Sequence, residues 1–322
     1  MTKRKLQPLP TTLSASSGVR ASLHVLDRFS EVDLKHWRRV SSDLDELNND
    51  LYFGIEPQRR RYQPEMLAAL QSVAPVQVAI NSWVRNVSFR FSNSPLSAAG
   101  SLTGFGGRFN IGTDVEQALY KPWPALYLAE DLETAFREKF QLDRGERVDG
   151  LTPEDLALVP KDDFSVIHFN GYLDRVFDLD QKDCLKALCA VLGKMRLPAE
   201  ARKIQRRLQI PEKSIFMIRT PSQLRKEVLD KNWRVSPAQF GLPAVSQILA
   251  GLILDAGFEG ILYPSTKAGG RCLAVFPHNL ASDRSRVELT NPGPANVILT
   301  RLDLNTADQL CGWEMLRPSQ RP

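Results

Sequence analysis

Apolar positions along the chain follow three patterns, each predicting a different kind of element. Behind Ser30, Val32, Leu34, Trp37, Val40 and Leu44 form a rough helical stripe. Ser30 is a good N-cap and Asp33 sits at the capping-box position, so the spacing predicts a helix from Ser30 to about Asn49. Pro57 and the run Arg59-Arg60-Arg61 read as a linker. Pro64 opens a second helical pattern, Glu65 to Val73, which Pro75 ends. Residues 21–80 are thus expected to be a helical segment, preceded by a polar, disordered basic tail over 1–20. Alternation from Trp83 to Phe91 predicts a strand, and Ala125 to Ala129, behind Pro124, predicts a short buried one. Asp131 then reads as the N-cap of a helix with Leu132, Ala135, Phe136 and Phe140 on one face.

The remaining runs are mixed. Val115 to Pro124 reads as a surface insertion. The phrases FSVIHF and RVFDL flank Asn170-Gly171 and predict a β-hairpin. Residues 180–209 read as two helices split at Pro198, the second, ARKIQRRLQ, strongly basic. A helix is expected from Pro243 to Ala256, closed by Gly257, and an apolar strand lies in GGRCLAVF. Asn291-Pro292-Gly293-Pro294 breaks the chain before a strand from Asn296 to Leu302. Helices and strands without regular βαβ alternation point to an α+β protein.

Composition narrows the class. With 43% hydrophobic and 25% charged residues, the 322-residue chain can bury a large core and reads as a soluble globular protein. A net charge of +5, from 42 basic and 37 acidic residues, permits anion binding without indicating nucleic acid. No run approaches the roughly 18 apolar residues of a membrane span. A polar stretch follows the basic start, which does not fit a secretory signal. Cys184, Cys189, Cys272 and Cys311 lack metal spacing and read as reduced thiols of a cytoplasmic protein. His24, His36, His168 and His278 are isolated, so no metal site is expected. GFGGRF lacks the third glycine of a dinucleotide fingerprint, and neither a Walker lysine loop nor a G-x-S-x-G elbow occurs. KHWRR, QRRRY and RKIQRR are separated basic patches that read as solvated faces.

Candidate chemistry concentrates in GFGGRFNIGTDVEQALYKPWPALYLAEDLETAFREKF, residues 104–140. Gly104, Gly106 and Gly107 allow a tight turn before Arg108. Tyr127 sits on the buried strand and Glu138 on the following helix, so a cation, an aromatic and a carboxylate can converge on one pocket. Each residue alone also fits a structural role: Arg108 on a surface loop, Tyr127 in the core, Glu138 as a solvated helix charge.

The order GGRFN, LYLAED, ETAFREKF, and then Ser265 within GFEGILYPSTKAGGRCLAVF resembles the RES family, named for an Arg, a Glu and a Ser. The resemblance spans roughly residues 85 to 285. It implies a catalytic domain over 81–290 with a fold like that of ADP-ribosyltransferases, and a C-terminal strand and tail, 291–322, packed on the core. It further implies catalytic Arg108, Glu138 and Ser265, with Arg90, Arg108 and Tyr127 binding NAD. NAD would be the substrate and no cofactor or metal would be needed. The implied reaction is hydrolysis or phosphorolysis of the nicotinamide–ribosyl bond, which depletes NAD, arrests growth and calls for a cognate antitoxin. Alternatives are ADP-ribosyl transfer to a protein and, from another class, a non-catalytic nucleic-acid-binding module. The residues are compatible with the first. An arginine fork suits a diphosphate, an aromatic wall suits nicotinamide, and a carboxylate stabilises a cationic ribose. Ser265 would hydrogen-bond the ribose or the nicotinamide amide.

Overall fold

The computed structural model describes residues 31–115, 118, 120–142, 164–211, 215–290 and 296–316, with side chains from Arg38 onward. Seven strands share one sheet: β1 (Val76–Ser88), β2 (Leu126–Ala129), β3 (Phe164–Asp178), β4 (Gly260–Pro264), β5 (Arg271–Val275), β6 (Arg286–Leu289) and β7 (Arg301–Leu302). Their order is β1-β2-β5-β4-β3-β6-β7, and a further pairing of β1 with β3 closes the first five into a circuit. β3 and β4 run parallel; the other pairs are antiparallel. The helices are α1 (Glu31–Gln71), α2 (Leu132–Phe140), α3 (Lys186–Leu192), α4 (Ala199–Arg207), α5 (Pro221–Val228), α6 (Val235–Phe240), α7 (Val245–Asp255) and α8 (Ala307–Cys311). The protein is α+β.

Period-two alternation divides two cores across the sheet. On β2, β4 and β5, Tyr127, Ala129, Ile261, Tyr263, Cys272 and Ala274 face one core, shared with α1, α3, α5 and α7. Leu126, Leu128, Leu262, Leu273 and Val275 face the other, shared with β6, β7 and α8. Burial of an aliphatic side chain contributes about 1.5–3 kcal/mol, so this alternation fixes the register. Buried Glu259 braces β3 near its C-terminal end: its Oε2 accepts from the backbone N–H of Asp174 (2.8 Å) and Arg175 (3.1 Å) and from Ser285 Oγ (2.8 Å).

Several expectations are corrected. The two N-terminal helices are one helix, α1, which runs through Pro57 and Pro64. Each interior proline costs about 3 kcal/mol. The buried face of Leu47, Tyr52, Met66 and Leu70 offsets that cost, and Gln58 adds a two-way bond to the backbone of Arg196. Leu44, expected on the apolar face, is exposed, while the side chains of Val32, Leu34 and Trp37 lie outside the described residues, as does the whole 1–20 tail. The expected hairpin at Gly171 is the single strand β3. Gly171 instead lets β6 approach, since a Cβ there would meet Arg286 O at 2.2 Å. The expected surface insertion ends in the core: Val115 and Trp123 are buried, and the Trp123 indole N–H bonds Phe109 O. Leu132 is exposed, although Ala135 and Phe136 of its helix are buried. The strand expected from Asn296 shrinks to Arg301–Leu302, after which α8 buries Leu310 and Cys311. The breaks at Pro198 and Gly257 fall where expected.

Candidate active site

A cleft of about 290 Å³ opens beside β1, β2 and α2, on the helical side of the sheet. Its construction begins with the glycine loop. Gly106 has φ +85°, and a Cβ on Gly107 would meet Tyr127 Oη at 2.4 Å. The loop can therefore lie against the Tyr127 hydroxyl only because no side chain intervenes. Tyr127 Oη accepts from Phe109 N–H (2.9 Å) and donates to Asn110 Oδ1 (2.8 Å), which also accepts from Gly107 N–H (2.9 Å). Gln247, fully buried on α7, donates to the carbonyls of Phe105, Gly107 and Asn110 at 2.8–3.0 Å. This buried network fixes the backbone that carries Arg108.

Arg108 is 7% exposed. Its Nη1 donates to Val228 O (3.1 Å) and Asp230 O (2.8 Å), its Nη2 to Thr266 Oγ1 (3.2 Å), and its guanidinium lies 5.7 Å from the Trp233 ring centre. Burial lowers its pKa, while Tyr263 and Glu138 act in the opposite direction. The carbonyls at the end of α5 thus hold a desolvated cation at the cleft.

Glu138 stands on α2, whose start is fixed by Asp131 capping Thr134 N–H at 2.7 Å. Ser265 Oγ accepts from Lys267 N–H (3.1 Å) and Ala268 N–H (3.0 Å). With its lone pairs so engaged, its one proton points to Glu138 Oε1 at 2.6 Å, a short bond of the charge-assisted kind. Ser265 therefore orients the carboxylate.

The structure brings Arg108, Tyr127 and Glu138 to one cleft and places Ser265 directly behind Glu138. It does not bring Arg90 there. β1 ends at Ser88, and the exposed Arg90 sits in a following 3-10 turn with its guanidinium 4.8 Å from the Phe91 ring centre. Arg85, on the strand itself, borders the cleft instead, and its Nη1 donates to Pro95 O (2.7 Å) and Ser97 O (2.9 Å). Burial pushes the Arg85 pKa down to about 10. The strand expected from Trp83 to Phe91 contained both residues, but β1 ends at Ser88, and alternation would in any case place positions 85 and 90 on opposite faces.

Lys139, Trp233 and Arg234 complete the wall. Arg234 Nη1 bonds Gln141 Oε1 at 2.8 Å and its guanidinium lies 4.6 Å from the Trp233 ring centre. Among the described lining residues, the cleft thus carries four cations, Arg85, Arg108, Lys139 and Arg234, against one carboxylate, Glu138. Tyr263 and Cys272 floor it, and burial raises the pKa of both, leaving them neutral. Asn86 lines the same wall, and neither atom of its buried amide has a partner among the described residues. No cluster of potential metal ligands occurs among the described residues, and no described helix is long and apolar enough to cross a membrane.

A family model described as the RES domain matches residues 196–294. The matched segment supplies Trp233, Arg234, Gln247, Tyr263 and Ser265, whereas Arg108, Tyr127 and Glu138 precede it. The crystal structure of the M. tuberculosis MbcT-MbcA toxin-antitoxin complex aligns with 77% of this chain and 97% of that chain, at 14% identity and a TM-score of 0.40. No curated protein matches the chain.

Proposed function

We propose that this RES-domain protein consumes NAD by cleaving the bond between nicotinamide and ribose, with water or phosphate as acceptor. The observation that carries this reading is the Ser265–Glu138 bond of 2.6 Å at a cleft whose described lining includes four cations. A diphosphate carries two negative charges that Arg108 and Arg234 match, and arginine presents several donors in a fixed fork. Losing nicotinamide builds positive charge on the ribose, and among the described lining residues Glu138 is the carboxylate able to face it. Tyr127 and Trp233 offer aromatic walls for the ring. On this reading the protein acts as a toxin by depleting NAD in the cytoplasm, and a cognate antitoxin holds it in check.

Incubating the purified protein with NAD and resolving the products tests the proposal. Free nicotinamide with ADP-ribose is expected for hydrolysis, and ADP-ribose 1″-phosphate formed only with phosphate present marks phosphorolysis. Label appearing on protein would replace this reading with ADP-ribosyl transfer. Intact NAD after prolonged incubation would remove it.

A further inference from the structure

A second cavity, of about 330 Å³, lies between α4 and the strand-less segment that leads into α5. Its wall includes Arg202, Arg206, Arg219, Gln205 and Phe216, and among the described residues no acidic one lines it. Basic residues on a surface helix are ordinarily matched by nearby acids, and α4 shows both conditions at once. Lys203 pairs with Glu200 (2.7 Å), and Arg207 pairs with Asp43 (2.9 Å) and Glu46 (2.8 Å) of α1. Arg202 and Arg206, four residues apart on the cavity side, have no ion-pair partner among the described residues. Lys203 is neutralised within α4 and Arg207 by α1, whereas the arginines on the cavity side keep their charge.

The third arginine is fixed in advance. Arg219 donates to Gly193 O and to Met195 O (3.1 Å), which directs its guanidinium along the cavity wall. Gln205 is buried with its amide bonded to Pro211 O at 3.1 Å, which braces the floor. Phe216 is 49% exposed, an aromatic face left open at the rim of a positively charged hollow. Three forks around one cavity suit an anion with several oxygens, and an open ring beside them suits a planar group attached to that anion. The volume lies within the range of small-molecule sites.

We propose that this cavity binds a nucleoside polyphosphate, with the phosphates held by Arg202, Arg206 and Arg219 and the base stacked on Phe216. Its position gives occupancy a bearing on the cleft. The segment carrying Phe216 and Arg219 continues through a capping box at Thr220 into α5, and Val228 O at the end of α5 is one of the acceptors that hold Arg108. The two cavities share no lining residue, so variants of one separate its binding from any binding of the same probe in the cleft.

Calorimetric titration of the full chain with ADP and with inorganic pyrophosphate provides the test. ADP is expected to bind this site more tightly than pyrophosphate. Arg202→Ala/Arg206→Ala should weaken ADP by about a hundredfold or more, the scale of losing two charge-assisted contacts. Arg202→Lys/Arg206→Lys, which keeps charge and packing, should weaken it by about tenfold. Phe216→Ala should cost ADP at least about fivefold and leave pyrophosphate unchanged. Arg108→Lys, in the cleft, should leave this site intact. Arg202 and Arg206 lie on an exposed helix face, so in both variants melting should stay at the wild-type temperature, and NAD consumption without added nucleotide should be unaltered. An ADP isotherm unchanged in both arginine variants overturns the site. ADP binding no tighter than pyrophosphate, or unmoved by Phe216→Ala, overturns the nucleoside part of the proposal.

Discussion

Adjacent residues on β5 live in different environments. Cys272 floors the cleft, while Leu273, one position on, lies in the core on the other side of the sheet. The same division separates Tyr127 from Leu126 on β2 and Tyr263 from Leu262 on β4. On the inner side the strands meet mostly aliphatic residues, from Val78 to Met315. On the helical side the core is interrupted by buried Arg108, Asn110 and Gln247. Burying a polar group without a partner costs several kcal/mol, so that side is stable only because each of these three groups is bonded. One face of the sheet therefore supplies cohesion, and the other carries an expensive polar arrangement whose return is the cleft. Changes on the first face should alter stability alone; changes on the second should alter binding and turnover.

The largest effect is expected at Glu138. Glu138→Gln keeps size and shape but removes the charge that would face a cationic ribose. Turnover of NAD should fall by about 100-fold or more, with much less change in NAD affinity and no change in melting. A normally melting Glu138→Gln protein that consumes NAD at the wild-type rate would sink the assigned role. Next comes Arg108→Lys, measured as NAD affinity. A lysine cannot reach two carbonyls, Thr266 and a diphosphate together, and one lost charge-assisted pair corresponds to roughly ten- to a hundredfold weaker binding. Unchanged affinity would return Arg108 to a purely structural role, anchoring the end of α5.

Local signals were readable where local physics decides the outcome. Asp131 caps α2, Pro198 opens α4 and Gly257 closes α7, because caps and breaks depend on a few neighbouring dihedrals. Arg108, Tyr127 and Glu138 were found through the order of short motifs around them. The parts that escaped depend on distant partners. Pro57 suggested a break, and only the packing of α1 against α3, α4 and α7 makes one continuous helix the better solution. Gly171 suggested a turn, and only β6 shows why a side chain is excluded there. Gln247 looks like any polar residue on an apolar helix until the loop 137–142 residues away in sequence brings it three carbonyls. Arg234 comes to the cleft by the same kind of long-range placement. Ser265 was picked out by its motif, and the bond that its hydroxyl makes to Glu138 is visible only in the fold.

If that bond to Glu138 is its main contribution, Ser265 acts as a positioning residue, and the expected effect is smaller. Ser265→Ala leaves Glu138 charged but free to turn, and exposes two backbone N–H groups, those of Lys267 and Ala268, that the hydroxyl had satisfied. The maximal rate should fall roughly tenfold, on the scale of one hydrogen bond to a charged group, while KM for NAD stays within about twofold. Ser265→Thr, which retains the hydroxyl, should recover most of the rate. A loss confined to KM would point back to direct substrate contact.

The smallest effect on chemistry is expected on the opposite face, at Leu273. Its side chain is fully buried among Leu126, Leu128, Leu262 and Val275, with no polar group to satisfy. Leu273→Ala removes aliphatic volume and leaves a cavity, at a cost of about 2–5 kcal/mol in stability. Its neighbours Cys272 and Ala274 keep their register, because the β5 pairings with β2 and β4 are made by backbone atoms. Turnover per folded molecule and KM for NAD should therefore match wild type at a temperature well below the lowered melting point. Thermal melting followed by NAD consumption, normalised to the folded fraction, separates the two quantities. A Leu273→Ala protein that is fully folded yet loses turnover would mean that the sheet transmits strain from its inner core to the cleft, and the division of labour between the faces would fail.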